Sequence, residues 1–75
     1  YFWFEWNSVR QAQVYWLQVS TDPSFKKITF KRKINKNKFL LKEPLPMGQL
    51  YWRVRAEADG NRISEWSEVR QINLY

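Results

Sequence analysis

Apolar residues recur at every second position along most of this chain, and nowhere at the spacing of an amphipathic helix. Phe2, Phe4 and Trp6 alternate with Trp3 and Glu5, the pattern of a strand with one buried face. A mostly polar connection over 7–12 leads to a second strand over 13–20, where Tyr15, Leu17 and Val19 alternate with Val14, Trp16 and Gln18. Asp22-Pro23-Ser24 is a turn signal, because Pro fixes φ and Asp can bond back to the chain. Phe25 is expected to fold back onto the core. A basic strand over 28–34 follows, with Ile28, Phe30 and Ile34 as its apolar points. Asn35-Lys36-Asn37 marks a turn, and 38–41 a short strand.

The segment 43–48 carries two Pro and cannot be a central strand, since each Pro removes a ladder donor. It reads as a corner. Beyond it Trp52, Val54 and Ala56 alternate with Tyr51, Arg53 and Arg55 in a strand over 50–58. Asp59-Gly60-Asn61 is a turn, 63–68 a loop or irregular strand lead-in, and 69–75 the last strand, with Ile72 and Leu74 on one face. Val69 breaks that alternation, through a bulge or by belonging to the lead-in. Six strands at fairly regular spacing predict an all-β sandwich. The expected core is Phe2, Phe4, Trp6, Tyr15, Leu17, Val19, Ile28, Leu40, Leu45, Trp52, Val54, Ala56, Ile72 and Leu74, with Val69 at its margin.

Composition narrows what such a sandwich can do. The 75 residues allow one small domain, and five Trp, four Tyr and five Phe argue against disorder. The chain has no Cys and no His, which removes disulfides, thiol nucleophiles, the usual zinc sites and the commonest general base. No apolar run approaches the roughly 18 residues of a membrane-spanning helix. No catalytic, cofactor or metal site is expected from the residues; Glu57, Asp59 and Asn61 supply too few oxygens for a good calcium site. The chain opens directly on an aromatic strand, so a piece of a longer polypeptide is expected.

Thirteen Lys and Arg against seven Asp and Glu give a net charge of +6. Eight of the cations fall between Lys26 and Lys42 with no acid among them: Lys26, Lys27, Lys31, Arg32, Lys33, Lys36, Lys38 and Lys42. Such a field favours anionic partners; alternatively, it marks solvated strand edges on which Lys resists edge-to-edge association. Nucleic acid is the disfavoured partner. Phe25, Phe30 and Phe39 are the only rings in the run, and by parity Phe25 and Phe30 look like core rather than base-stacking platforms.

Two segments carry a family resemblance, FEWNSVRQAQVYWLQVSTDPSF at 4–25 and LPMGQLYWRVRAEADGNRISEWS at 45–67. Both resemble the fibronectin type III domain, an immunoglobulin-like β-sandwich, in the form common in multidomain bacterial surface and envelope proteins. Trp6 matches the family's Trp, Ala12 the small residue before its third strand, and Tyr15 the core Tyr. The resemblance covers nearly the whole chain and implies a single domain over 1–75 that begins at the family's strand B and lacks strand A. It departs at the tyrosine corner, where the family's Tyr falls on Leu50 and Tyr51 points outward. Packing of Leu45 with Leu50 is expected to replace the corner's hydroxyl bond.

Within the resemblance, Ser64-Glu65-Trp66-Ser67 is similar to the second half of the WSxWS box of cytokine-receptor domains, with Ile63 where the first Trp would stand. That similarity implies Trp66 stacked between Arg53 and Arg55, with Trp16 extending the ladder. Trp3, Trp16 and Tyr51 fall on the outward parity of their strands, and Trp16 and Tyr51 are expected as cross-strand partners. Trp16, Tyr51, Arg53, Arg55 and Trp66 form the candidate interaction face. The resemblance implies a non-catalytic spacer or protein-interaction module of an extracytoplasmic multidomain protein, with neighbouring domains or another protein as partner. Self-association through strand B is a further expectation. The alternative is an anionic surface polymer or glycan held by the basic run.

Overall fold

The computed structural model describes residues 2–59 and 62–74. Among them the chain forms strands β1 (Phe2–Glu5), β2 (Val14–Ser20), β3 (Ile28–Ile34), β4 (Lys38–Leu41), β5 (Gly48–Ala58), β6 (Arg62–Ile63) and β7 (Arg70–Leu74), and no helix. Every pairing is antiparallel. β1 and β4 make a two-stranded sheet; β3, β2 and β5 follow one another in a five-stranded sheet, in which β6 and β7 both pair with β5. The two sheets pack as a β-sandwich around one apolar cluster. The expected turn at Asp59-Gly60-Asn61 lies partly, and Tyr75 wholly, outside the described residues.

The alternation explains the packing. Phe4, Trp6, Tyr15, Leu17, Val19, Leu50, Trp52, Val54, Ala56 and Ile72 are all buried in the cluster. Phe2, Leu45 and Leu74 pack at its margin, half-buried. Its centre is aromatic: the Phe4 ring meets Trp52 edge-on at 5.1 Å, and Trp6 meets Tyr15 at 5.5 Å. These tilted geometries set positive ring edges against negative faces. The Tyr15 hydroxyl accepts a hydrogen bond from the Val9 N–H at 2.8 Å, tying the 7–12 connection to the core. Leu50 is fully buried, and half-buried Leu45 packs against the same cluster. β5 starts at Gly48, whose φ of +106° suits glycine.

Three expectations about single core residues are corrected. Ile28 is exposed, because β3 carries one extra residue where the register shifts opposite Val19 and Ser20. Phe30 faces Val19, and Ile28 then pairs with Ser20, off the inward parity. Leu40 is not in the core. The register Phe4 to Phe39 and Phe2 to Leu41 gives the inward positions of β4 to Phe39 and Leu41, and Leu40 sits opposite Trp3 on the outer face. Val69 is exposed and lies before β7, so it belongs to the lead-in. Ile63, expected in a loop or an irregular strand lead-in, forms the short β6 with Arg62.

Phe25 departs in a different way. It is buried, but it lies outside the core cluster, with the Arg53 guanidinium 4.1 Å from its ring centroid. The segment 21–27 has folded over the outer face of the large sheet. It is held there by the Ser20 hydroxyl, which donates to the Lys27 carbonyl and accepts from the Asp22 N–H. Phe25 itself adopts a left-handed φ of 59°, uncommon for a bulky residue.

Candidate functional site

The outer face of the large sheet carries Arg53, Arg55 and Trp66 of the set singled out above. Arg53 and Arg55 are two apart on β5, so both project from this face. Trp66 lies over them, its ring centroid 4.2 Å from the Arg53 guanidinium carbon and 4.4 Å from that of Arg55. Phe25 continues the stack beyond Arg53, giving the order Phe25, Arg53, Trp66, Arg55. Arg53 Nε also donates to Gln18 Oε1 at 3.0 Å, fixing the plane of its guanidinium. Burial and then the charge of Arg55 push the Arg53 pKa below its ordinary value, but a guanidinium stays protonated near neutrality. The two like charges are tolerated because each meets the negative face of a ring.

Two serines place Trp66. Ser64 N–H donates to the Ala56 carbonyl at 2.8 Å, and Ala56 N–H donates to the Ser64 hydroxyl at 2.8 Å. Ser67 repeats the arrangement on Val54, at 2.7 and 3.0 Å. Each hydroxyl stands where a neighbouring strand would offer a carbonyl. The segment between β6 and β7 can therefore leave regular pairing without orphaning β5 amides, and the ring between the serines is laid on the arginines. The sequence signal is a pair of Ser three apart flanking the Trp, legible only through the family resemblance.

Trp16 and Tyr51 are placed otherwise than expected. Trp16 stands opposite Arg55 in the β2–β5 register, and Tyr51 opposite Ser20, so the two rings are not cross-strand partners. The β2–β5 register is what separates them, by four residues along each strand. Trp16 does not extend the stack either. Its ring lies under Lys33 Nζ at 5.2 Å, and its indole N–H donates to Glu57 Oε1 at 3.2 Å. Lys33 also approaches Glu57 Oε2 at 4.0 Å. Both rings are half-buried, Trp16 beneath the basic stem that runs across it.

The eight cations of the basic run are all exposed, yet they do not share one face. Among the described residues β3 is an edge strand, paired with β2. Lys31 and Lys33 pair with Gln18 and Trp16 of the outer face, whereas Arg32 pairs with inward Leu17. Arg32 lies over the stacked rings of Phe30 and Phe39, at 5.1 and 5.4 Å, and closes that margin of the sandwich. It also meets Glu43 at 3.4 Å in an exposed pair. Lys26 and Lys27 belong to the folded-over segment, Lys36 to the turn before β4, Lys38 to β4, and Lys42 lies just after it.

On the small sheet, Trp3 is 59% exposed beside half-buried Leu40. Both line an open trough of about 650 Å³ together with Arg32, Lys33, Lys36 and Lys38. Sequence reasoning marked Trp3 as outward but did not connect it to any cation, because the two strands that meet here are more than thirty residues apart. Among the described residues no group of three or more acidic side chains is placed to hold a metal ion. Asp59 accepts from Gln13 Nε2, and Glu57 is occupied by Trp16 and Lys33.

The folded-over segment has a pH dependence with a definite sign. The Asp22 carboxylate accepts hydrogen bonds from the Ser24 hydroxyl and the Lys26 N–H, and the Ser24 bond leads in holding its pKa below the ordinary value of 3.8. A carboxyl depressed on folding contributes stability above its unfolded pKa and loses it as pH falls through the folded one. The melting temperature is therefore expected to drop below pH 3.8, and Asp22→Asn to flatten that part of the profile. An unchanged profile in the variant would show that Asp22 has no such linkage.

No protein family, no curated protein and no solved structure matches this chain.

Proposed function

We propose that this chain is a fibronectin type III-like module, without catalytic activity, that serves as a spacer and protein-interaction unit of an extracytoplasmic multidomain protein. The reading draws support from the two-sheet order, β1–β4 against β3–β2–β5–β7, and from the Arg–Trp stack beside two serine-held amides. The interaction itself rests on one observation. β1 is hydrogen-bonded to β4 on one side, and no strand among the described residues flanks its other side. A free edge of this kind is a template for another extended segment. Just past β1 the buried Trp6 indole N–H has no acceptor, and Trp6 lines a cleft of about 270 Å³.

The partner in this reading is a neighbouring segment or a second copy, and the second copy gives the direct test. Sedimentation across a wide concentration range is expected to show self-association. Amide exchange read at the same concentrations is expected to slow over Phe2–Glu5 and not over Ile28–Ile34. A monomer at every concentration, or protection gained at β3 instead, would overturn strand addition at β1.

A further inference from the structure

We propose that the trough between Trp3 and the β3–β4 turn is a binding site for a linear acidic polysaccharide, with a sugar ring on Trp3 and its carboxylate or sulfate groups on Lys36 and Lys38. This goes beyond the edge pairing of β1 and does not depend on it.

The site is selected by what surrounds it. Its lining contains no acidic residue and four cations, Arg32, Lys33, Lys36 and Lys38. Among the described residues, Arg32 pairs with Glu43 and Lys33 with Glu57, while Lys36 and Lys38 have no carboxylate within ion-pair distance. Glu5 faces Lys38 in the β1–β4 register and still makes no ion pair with it. The two unpaired cations are therefore available to a ligand's anionic groups. The Arg32–Glu43 pair is solvent-exposed, and exchanging such a pair for a ligand anion costs little.

Trp3 supplies the second element. Its indole is 59% exposed, and no cation lies over its face, unlike Trp16, Trp52 and Trp66. A bare aromatic face beside Leu40, in a concave setting, suits the apolar face of a pyranose. Concavity and a single ring also separate the classes of polyanion. Single-stranded nucleic acid favours several exposed rings along one groove, and a membrane surface favours a protruding apolar edge. A sugar chain needs one platform and anionic groups within a residue or two of it, which is what Trp3, Lys36 and Lys38 provide.

Binding of the intact chain to a sulfated heparin oligosaccharide, a polygalacturonate oligosaccharide and a neutral dextran oligosaccharide, followed by calorimetric titration, tests this. Both acidic probes are expected to bind, with affinity falling steeply as salt rises, and dextran is not. Trp3→Ala is expected to weaken binding about tenfold, the size of one stacked ring, and Trp3→Phe to restore most of it. Lys36→Gln with Lys38→Gln is expected to weaken binding about tenfold or more and to flatten the salt dependence. Lys26→Gln with Lys27→Gln removes the same charge outside the trough and is expected to change affinity by less than about twofold. Equal losses from the two lysine pairs with no effect of Trp3→Ala would mean a diffuse basic field and overturn the site. Tighter binding of oligouridylate or of anionic vesicles than of either acidic saccharide would overturn the ligand class. Absence of binding to every probe would overturn the whole inference and leave self-association, read by sedimentation and amide exchange, where it stood.

Discussion

Phe4→Ala is expected to bring the sandwich close to unfolding at room temperature, whereas Trp3→Ala, one position earlier, is expected to leave stability within about 0.5 kcal/mol. Phe4 is fully buried and packs edge-on against Trp52 and at 4.8 Å from Phe2, joining the small sheet to the large one. Truncating a buried Phe to Ala costs about 3–5 kcal/mol, as lost transfer energy plus the cavity left behind. A domain of this length has about 4–11 kcal/mol in total. Among the described residues the small sheet has two strands, so few other contacts could compensate. Each kcal/mol moves the melting temperature of a domain this small by roughly 4–8 °C, so a fall of about 12–40 °C is expected by thermal denaturation. Equal losses from Phe4→Ala and Trp3→Ala would mean that the inward face of β1 has been assigned wrongly.

Trp66→Ala carries the second largest effect, a loss of about 2 kcal/mol or more with no cavity in the core. The ring serves Arg53 and Arg55 at once, and each partly desolvated cation–π contact contributes about 1–2 kcal/mol. Its removal leaves two guanidiniums on one strand face with nothing between them, and Arg55 Nε is already a buried donor without an acceptor. A double-mutant cycle separates the stack from simple loss of buried area. Trp66→Ala combined with Arg53→Met is expected to show a coupling of about 1 kcal/mol. Coupling near zero, measured by chemical denaturation, would mean that the ring covers the sheet without binding its charges. Phe25 on the far side of Arg53 sets a limit on the loss, since that contact survives the substitution.

The stack and the trough divide the cationic surface into parts with different duties. Arg53 and Arg55 are consumed internally, Lys33 covers Trp16, and Arg32 seals the Phe30–Phe39 margin. Packing of basic stems over rings accounts for much of a net charge that, read from composition alone, suggests one continuous anion-binding face. Lys36 and Lys38 are the lining cations of the trough left over from this arrangement, and they lie beside the most exposed of the Trp side chains.

The strand pattern, the all-β class and the inward faces of β2 and β5 were determined by the sequence itself. Side chains alternate across a strand, and one apolar residue in every two leaves a single way to bury them. Proline at 44 and 46 was enough to exclude a ladder there. The Arg53–Trp66–Arg55 stack was legible only because its residues resemble a known box; the hydroxyl bonds of Ser64 and Ser67 that hold it were not.

Tertiary structure decided what depends on register between distant strands. One extra residue in β3 turned Ile28 outward, and the β1–β4 pairing gave the core to Phe39 and Leu41 in place of Leu40. The β2–β5 register separated Trp16 from Tyr51. Phe25, with no strand period to place it, went to the outer face because Ser20 and Asp22 folded its segment that way. Parity within a strand is local and can be read along the chain. Which residue stands opposite which is fixed by hydrogen bonds between segments tens of residues apart, and a slip of one position reverses every side chain beyond it.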